Sequence, residues 1–172
     1  MNSFQKDLEI GKYGEALFEK ILNRSGWGTS HPTTEQDKSG VDLYSLKDGV
    51  EKTWQVKFGK TCQRTGNIAI EESHTYPDGG TAKGWGQKLN ADFVVFVEQY
   101  PEHHWFGVLK AEQITHYIGN DTYPLIPTSE FIREREEKTT WNRLIQKTEI
   151  EKVSQTHFSL QHSWDGWSHL PH

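Results

Sequence analysis

Apolar and polar positions along the chain follow two periods. Between about residues 5 and 24, Ile10, Gly14, Leu17, Phe18 and Ile21 recur at the spacing of one helix face, and Ser25-Gly26 supplies a stop. Gly11 and Gly14 lie inside that helix, where each costs about 1 kcal/mol against alanine. Close approach of the helix backbone to a sheet would account for them, and so would a helix that begins only near Gly11. Residues 29–40 read as a polar loop. From there the period changes to two, and residues 41–58 alternate on either side of Asp48-Gly49, the dipeptide that most favours a two-residue hairpin loop. Residues 59–67 form a basic, glycine-bounded loop, and Ile68-Ala69-Ile70 a third strand ending at Glu71-Glu72. Residues 73–90 are rich in turn formers, with a short helical piece near Gln87. Phe93 to Val97 is almost continuously apolar, as in a strand covered on both faces. His104 to Leu109 reads as its neighbour, joined through Tyr100-Pro101, and Ala111 to Ile118 as a short helix. From Ser129 to about Val153 the chain is heavily charged, and Trp141, Leu144, Ile145 and Thr148 predict one apolar helical stripe. The order predicts a single mixed α/β domain, with a core over about 5–120 and a charged helix and aromatic, histidine-rich tail over about 129–172.

The hairpin has a chemical consequence. With Asp48 and Gly49 as the loop, Lys47 faces Val50, and counting back along both strands sets Asp42 opposite Gln55. Lys57 falls two residues on, on the same face and within diagonal reach. Trp54, Val56 and Phe58 point the other way, into a core. Three polar groups able to hold a metal and orient a water therefore converge on one side of a sheet.

Composition narrows the setting. A chain of 172 residues with 25 % charged and 12 % aromatic residues is globular rather than disordered. Its net charge of −5 gives no bulk attraction to nucleic acid, so any such contact needs a local basic patch. Cys62 is the single cysteine, which excludes an intrachain disulfide and a thiolate zinc cluster. The polar start of the chain lacks a signal-peptide core and no apolar run is long enough to span a bilayer, so a soluble, cytoplasmic protein is expected.

The pattern of a helix Glu in Gly14-Glu15, then Gly40-Val41-Asp42, then Gln55-Val56-Lys57 resembles the PD-(D/E)xK nuclease superfamily, in the Mrr-like and resolvase-like variant with Gln before the lysine. The resemblance covers roughly residues 10 to 98 and includes Ala91-Asp92 leading into an apolar strand. Two departures are plain: no proline precedes Asp42, and Gln55 stands where an acid is usual. The resemblance implies a restriction-endonuclease-like fold, a mixed sheet of four to five strands flanked by helices. It implies Mg²⁺-dependent hydrolysis of DNA phosphodiester bonds, with Mn²⁺ able to substitute, by a restriction, phage or mobile-element type of endonuclease. Glu15, Asp42, Gln55 and Lys57 would then be catalytic. A hard cation that keeps several waters needs few protein oxygens. Asp42, the Gln55 amide oxygen and the Val56 carbonyl could supply them, with Glu15 acting through water.

Lys60 and Arg64 in the basic loop, and Lys83 and Lys88 flanking Gly84-Trp85-Gly86, are candidates for phosphate contact. Glu71, at a strand end, could replace the acid missing at position 55. His103-His104 point to opposite faces of a strand, and the C-terminal histidines lack metal-ligand spacing. DNA is the expected partner, with RNA left open. A homodimer suits two-strand cleavage, and neither a membrane nor a nucleotide cofactor is indicated. The alternatives are a catalytically silent nucleic-acid-binding module on the same fold and a protein-interaction domain.

Overall fold

The computed structural model describes residues 3–33, 40–59, 61–132 and 136–161. Helix α1, Ser3–Arg24, opens the chain. Its end is a Schellman cap: Gly26 has φ +83, Trp27 N–H reaches the Leu22 carbonyl at 3.0 Å and Gly26 N–H the Asn23 carbonyl at 3.1 Å. Short strand β1, Gly28–Ser30, follows inside the expected loop and pairs with β2, Leu43–Lys47. Strand β2 turns into β3, Val50–Gly59, through Asp48 and Gly49, whose φ values of 52 and 78 belong to a type I′ turn. The ladder pairs Lys47 with Val50 and Leu43 with Trp54, the register that the turn predicts.

A short helix α2, Thr61–Thr65, occupies the expected basic loop and leads into β4, Asn67–Thr75, which runs well past Glu72. Next come β5, Thr81–Lys83, a 3₁₀ turn at Trp85–Gln87, β6, Phe93–Gln99, β7, His103–Lys110, and α3, Ala111–Thr115. The expected long helix over 129–153 is not formed. Its place is taken by β8, Leu125–Ile132, β9, Glu136–Gln146, and a short α4, Lys147–Val153, after which β10, Thr156–Gln161, closes the described chain. The helical stripe failed because β9 is covered on both faces: Arg143 and Ile145 turn to one side, Thr140 and Asn142 to the other, and all four are buried.

The strands form two sheets. One runs β1-β2-β3-β6-β7-β10, in which only β3 and β6 are parallel, and the other β5-β4-β9-β8 is antiparallel. The mixed α/β class is as expected, with more strands than the sequence suggested. Helix α1 packs on one face of the larger sheet, where Phe18, Ile21, Leu43, Trp54, Val56 and Phe106 make one core. The other face packs with Ile68 and Ile70 of β4, Ile145 of β9, Ile114 and Ile150 around Val94, Phe96 and Trp105. Full burial of each such side chain stabilises the fold by about 1.5–3 kcal/mol. Gly14 lets α1 sit directly on β3: a Cβ there would lie 2.7 Å from Phe58 Cβ. No helix among the described residues is long and apolar enough to cross a membrane.

A buried ion pair between β4 and β9 of the smaller sheet also holds the loop after α3. Arg143, 4 % exposed, bonds Glu72, donates to the Tyr123 carbonyl at 2.8 Å and to the Asn120 carbonyl at 3.1 Å. The guanidinium holds the Glu72 carboxyl below its usual range. Removing one partner of such a pair strands the other charge. Arg143→Met is therefore expected to cost about 3 kcal/mol in urea denaturation, and adding Glu72→Leu should recover much of it. A single variant as stable as the parent would show that the pair does not hold the two segments together.

Candidate active site

The site forms where β2 stops and β3 runs on. Just beyond the last ladder pair, the Asp42 amide donates to the Trp54 carbonyl at 2.8 Å. Its carboxylate accepts the Val56 amide on Oδ2 at 2.7 Å. Asp42 therefore caps the free side of β3 and makes no ladder pair with Gln55, a departure from the expected register by one local step. Amide and carbonyl of one residue point to the same side of a strand, so the Val56 carbonyl shares this open side with the Asp42 carboxylate.

Gln55 and Lys57 leave β3 on the face opposite Trp54, Val56 and Phe58, beside Val94 and Phe96 of the parallel neighbour. Gln55 is 5 % exposed, and its Oε1 is buried with no hydrogen-bond partner among the described residues. An unsatisfied group of this kind costs about 1–3 kcal/mol. Gly40, at φ +80, leaves room for the amide: a Cβ there would stand 3.3 Å from Gln55 Nε2. Lys57 Nζ lies 4.9 Å from the centre of the Trp85 ring. Burial pulls its ammonium below the ordinary lysine value, while the carboxylates of Asp42, Glu71 and Glu15, in that order, act the other way. Carboxylates ahead of β2, on β4 and on α1 thus act on the charge of Lys57.

Among the described residues, no three His, Cys, Asp or Glu side chains are grouped so as to hold a metal ion by themselves. The oxygens gathered here are of mixed type, one carboxylate, one amide and one backbone carbonyl, and the orphaned Gln55 Oε1 fits a hard cation that retains water. Of the expected phosphate contacts, Lys60 lies outside the described residues. Arg64 is exposed on α2, and Lys83 and Lys88 are exposed on either side of the segment that carries Trp85. Trp85 packs against Phe96, ring centres 6.1 Å apart, as well as under Lys57, so much of its surface serves the core.

The histidines divide as expected for a strand: His104 is buried, whereas His103 stacks on Tyr100 with ring centres 4.7 Å apart. The tail residues His162, Trp164, Trp167, His169 and His172 lie outside the described residues. Sequence reasoning missed Glu98 on β6, which pairs across to Gly59 and is 5 % exposed. Its Oε2 accepts the Cys62 amide at 3.2 Å, and the missing side chain of Gly59 makes the space it fills. The only trace of it in the sequence is an acid at the end of an otherwise apolar strand.

No family model matches the chain, and no curated protein matches it. Among solved structures the chain is similar to a bacterial homing endonuclease, I-Ssp6803I, at 22 % identity and a TM-score of 0.48, over 73 % of this chain and 82 % of that one.

Glu98 gives the pH dependence a definite sign. Burial pushes its carboxyl up to about 7, against the pull of the Cys62 amide and Lys147. The folded protein therefore binds this proton more tightly than the unfolded chain does. Its contribution to stability is complete below the unfolded value of 4.5 and is lost as pH rises through about 7. Denaturation of the parent and of Glu98→Gln across pH 4 to 8 is expected to show the parent losing about 3 kcal/mol relative to the variant. A difference that stays constant with pH would contradict the buried, proton-retaining state.

Proposed function

We propose that the protein is a metal-dependent nuclease of the PD-(D/E)xK type, hydrolysing DNA phosphodiester bonds as an endonuclease. The observation that supports it best is the buried, unpartnered Gln55 Oε1 on the face that carries Lys57, with the Asp42 carboxylate bonded to the next amide along β3. Asp42, Gln55 Oε1 and the Val56 carbonyl would hold Mg²⁺, or Mn²⁺ in its place, and Glu15 would reach it through water. A bound cation of this kind polarises the phosphoryl group and acidifies the attacking water.

The chain's own residues do the rest. Asp42 is oriented by the Val56 amide, so its carboxylate needs no reorganisation when substrate arrives. Lys57, set among carboxylates, stands as a fixed cation that orients water and offsets charge developing on the phosphoryl oxygens. Gly40 keeps the space beside Gln55 clear of a side chain. Arg64, Lys83 and Lys88 are exposed cations on the flanking segments, and they would contact the substrate backbone locally against the net acidity of the chain. Double-strand cleavage by a chain with one site would call for a homodimer.

The neutral Gln55 favours one second reading, a nucleic-acid-binding module on the same fold without catalysis. Supercoiled, branched and single-stranded DNA incubated with Mg²⁺ or Mn²⁺ separates the two. Cutting by the parent is expected, and Asp42→Ala should reduce the rate by at least about 10³-fold while circular dichroism shows the fold retained. Equal cutting by both proteins would remove Asp42 from the site. DNA binding without cutting by either would favour the silent module.

A further inference from the structure

The turn Gly84-Trp85-Gly86 is pressed onto β4 with almost no clearance. The Gly84 amide donates to the Glu72 carbonyl at 2.9 Å, and a side chain at Gly84 would run into the Glu71 carbonyl oxygen. A Cβ at Gly86 would lie 2.7 Å from Ile70 Cγ2 and 2.9 Å from Ile118 Cδ1. Both glycines are therefore needed for the backbone to come this close to the strand. The Gln87 amide donates to the Gly84 carbonyl at 3.1 Å and the Lys88 amide to the Trp85 carbonyl at 3.0 Å, which closes the turn. Only Trp85 of the three carries a side chain, and it is half-buried. Its ring reaches two neighbours in the parallel ladder of β3 and β6, Lys57 and Phe96. The Phe96 ring centre is 6.1 Å away at an angle of 59°, and Lys57 Nζ stands 4.9 Å from the Trp85 ring centre.

We propose that Trp85 is a positioning residue for Lys57, its ring face fixing the ammonium in the place from which it meets the phosphoryl group. The inference rests on the nuclease reading above. A lysine carries its charge on a flexible four-carbon stem, so a cation that stabilises a transition state without reorganising needs that stem held. The indole face is the best of the aromatic partners for a cation, and the contact strengthens where water is excluded, as it is beside Val94 and Phe96. A carboxylate would hold the ammonium by taking one of its three N–H donors. A ring face attracts the charge as a whole and leaves those donors for water and the phosphoryl oxygens. The hold is firm because the indole is packed on Phe96 and its backbone is clamped on β4. Trp85 therefore acts on the chemical step through Lys57, and not by stacking on a base of the substrate.

The test joins NMR of the free chain to cleavage kinetics, for the parent, Lys57→Met, Trp85→Leu and Trp85→Phe, with circular dichroism confirming that each is folded. Protons held over an aromatic face resonate upfield. The Lys57 ε-methylene signal, assigned as the one missing from Lys57→Met, is expected upfield in the parent and in Trp85→Phe, and at the ordinary lysine position in Trp85→Leu. Cleavage of supercoiled DNA with Mg²⁺ is expected to show kcat lowered about tenfold in Trp85→Leu with KM held, and within about threefold of the parent in Trp85→Phe. An ordinary Lys57 signal in the parent would overturn the inference whether or not Trp85→Leu folds. So would a parent-like kcat in Trp85→Leu, or a Trp85→Phe protein as impaired as Trp85→Leu. A raised KM with kcat unchanged would put Trp85 on the DNA instead, overturning the inference and leaving the nuclease reading intact. A parent that cuts no DNA, or a Lys57→Met protein that cuts as well as the parent, would sink the role given to Lys57 in that reading, and this inference with it.

Discussion

Everything in this molecule depends on the register of β3. The strand runs through the middle of the larger sheet, with β2 antiparallel on one side and β6 parallel on the other. Its side chains therefore alternate between two separate cores, Trp54 and Val56 toward α1, Gln55 and Lys57 toward the smaller sheet. A slip of one residue would exchange every side chain between those faces. Lys57 would then be driven against α1, and the Trp54 indole, which donates to Ser45 Oγ at 2.8 Å, would lose that partner. Two positive φ values at Asp48 and Gly49 guard against the slip, because few other residue pairs tolerate them.

The same register explains why a polar site survives between packed layers. Val94, Phe96 and Trp105 exclude water from the sheet face, which raises the cost of an isolated charge and strengthens any charge that finds a partner. Lys57 illustrates both effects at once: burial disfavours its ammonium, and the carboxylates of Asp42, Glu71 and Glu15 offset this only in part. Asp42 stands where the sheet offers no further strand, so an open backbone edge becomes a place to hold a side chain.

How much could be read in advance follows from the range of the interactions. The hairpin, its register as far as Leu43 and Trp54, and the shared face of Gln55 and Lys57 were legible because a dipeptide and a period of two determine them locally, whereas the expected pairing of Asp42 with Gln55 is lost to a local shift at the strand end. The apolar strands β6 and β7 were legible because an unbroken run has few other homes. Residues 129–153 were misread as helix because their spacing satisfies a helical stripe, while the partner that makes Arg143 a buried strand residue is Glu72, far away in sequence. Glu98 was invisible for a similar reason: its cavity is the absent side chain of Gly59 on another strand.

Gly14 has a consequence for how this fold can vary. With no side chain there, α1 rests its backbone on Phe58, and Glu15 is the next residue along. The glycine works as a spacer of zero thickness: it fixes how far the acid on the helix stands from the lysine on the strand. Any larger residue would lift the helix and carry Glu15 outward while the hydrophobic contacts of Phe18 and Ile21 could still repack. In this architecture the distance between the helix and the sheet is set by an atom that is not there, and the scaffold has more tolerance for movement than the polar groups it carries.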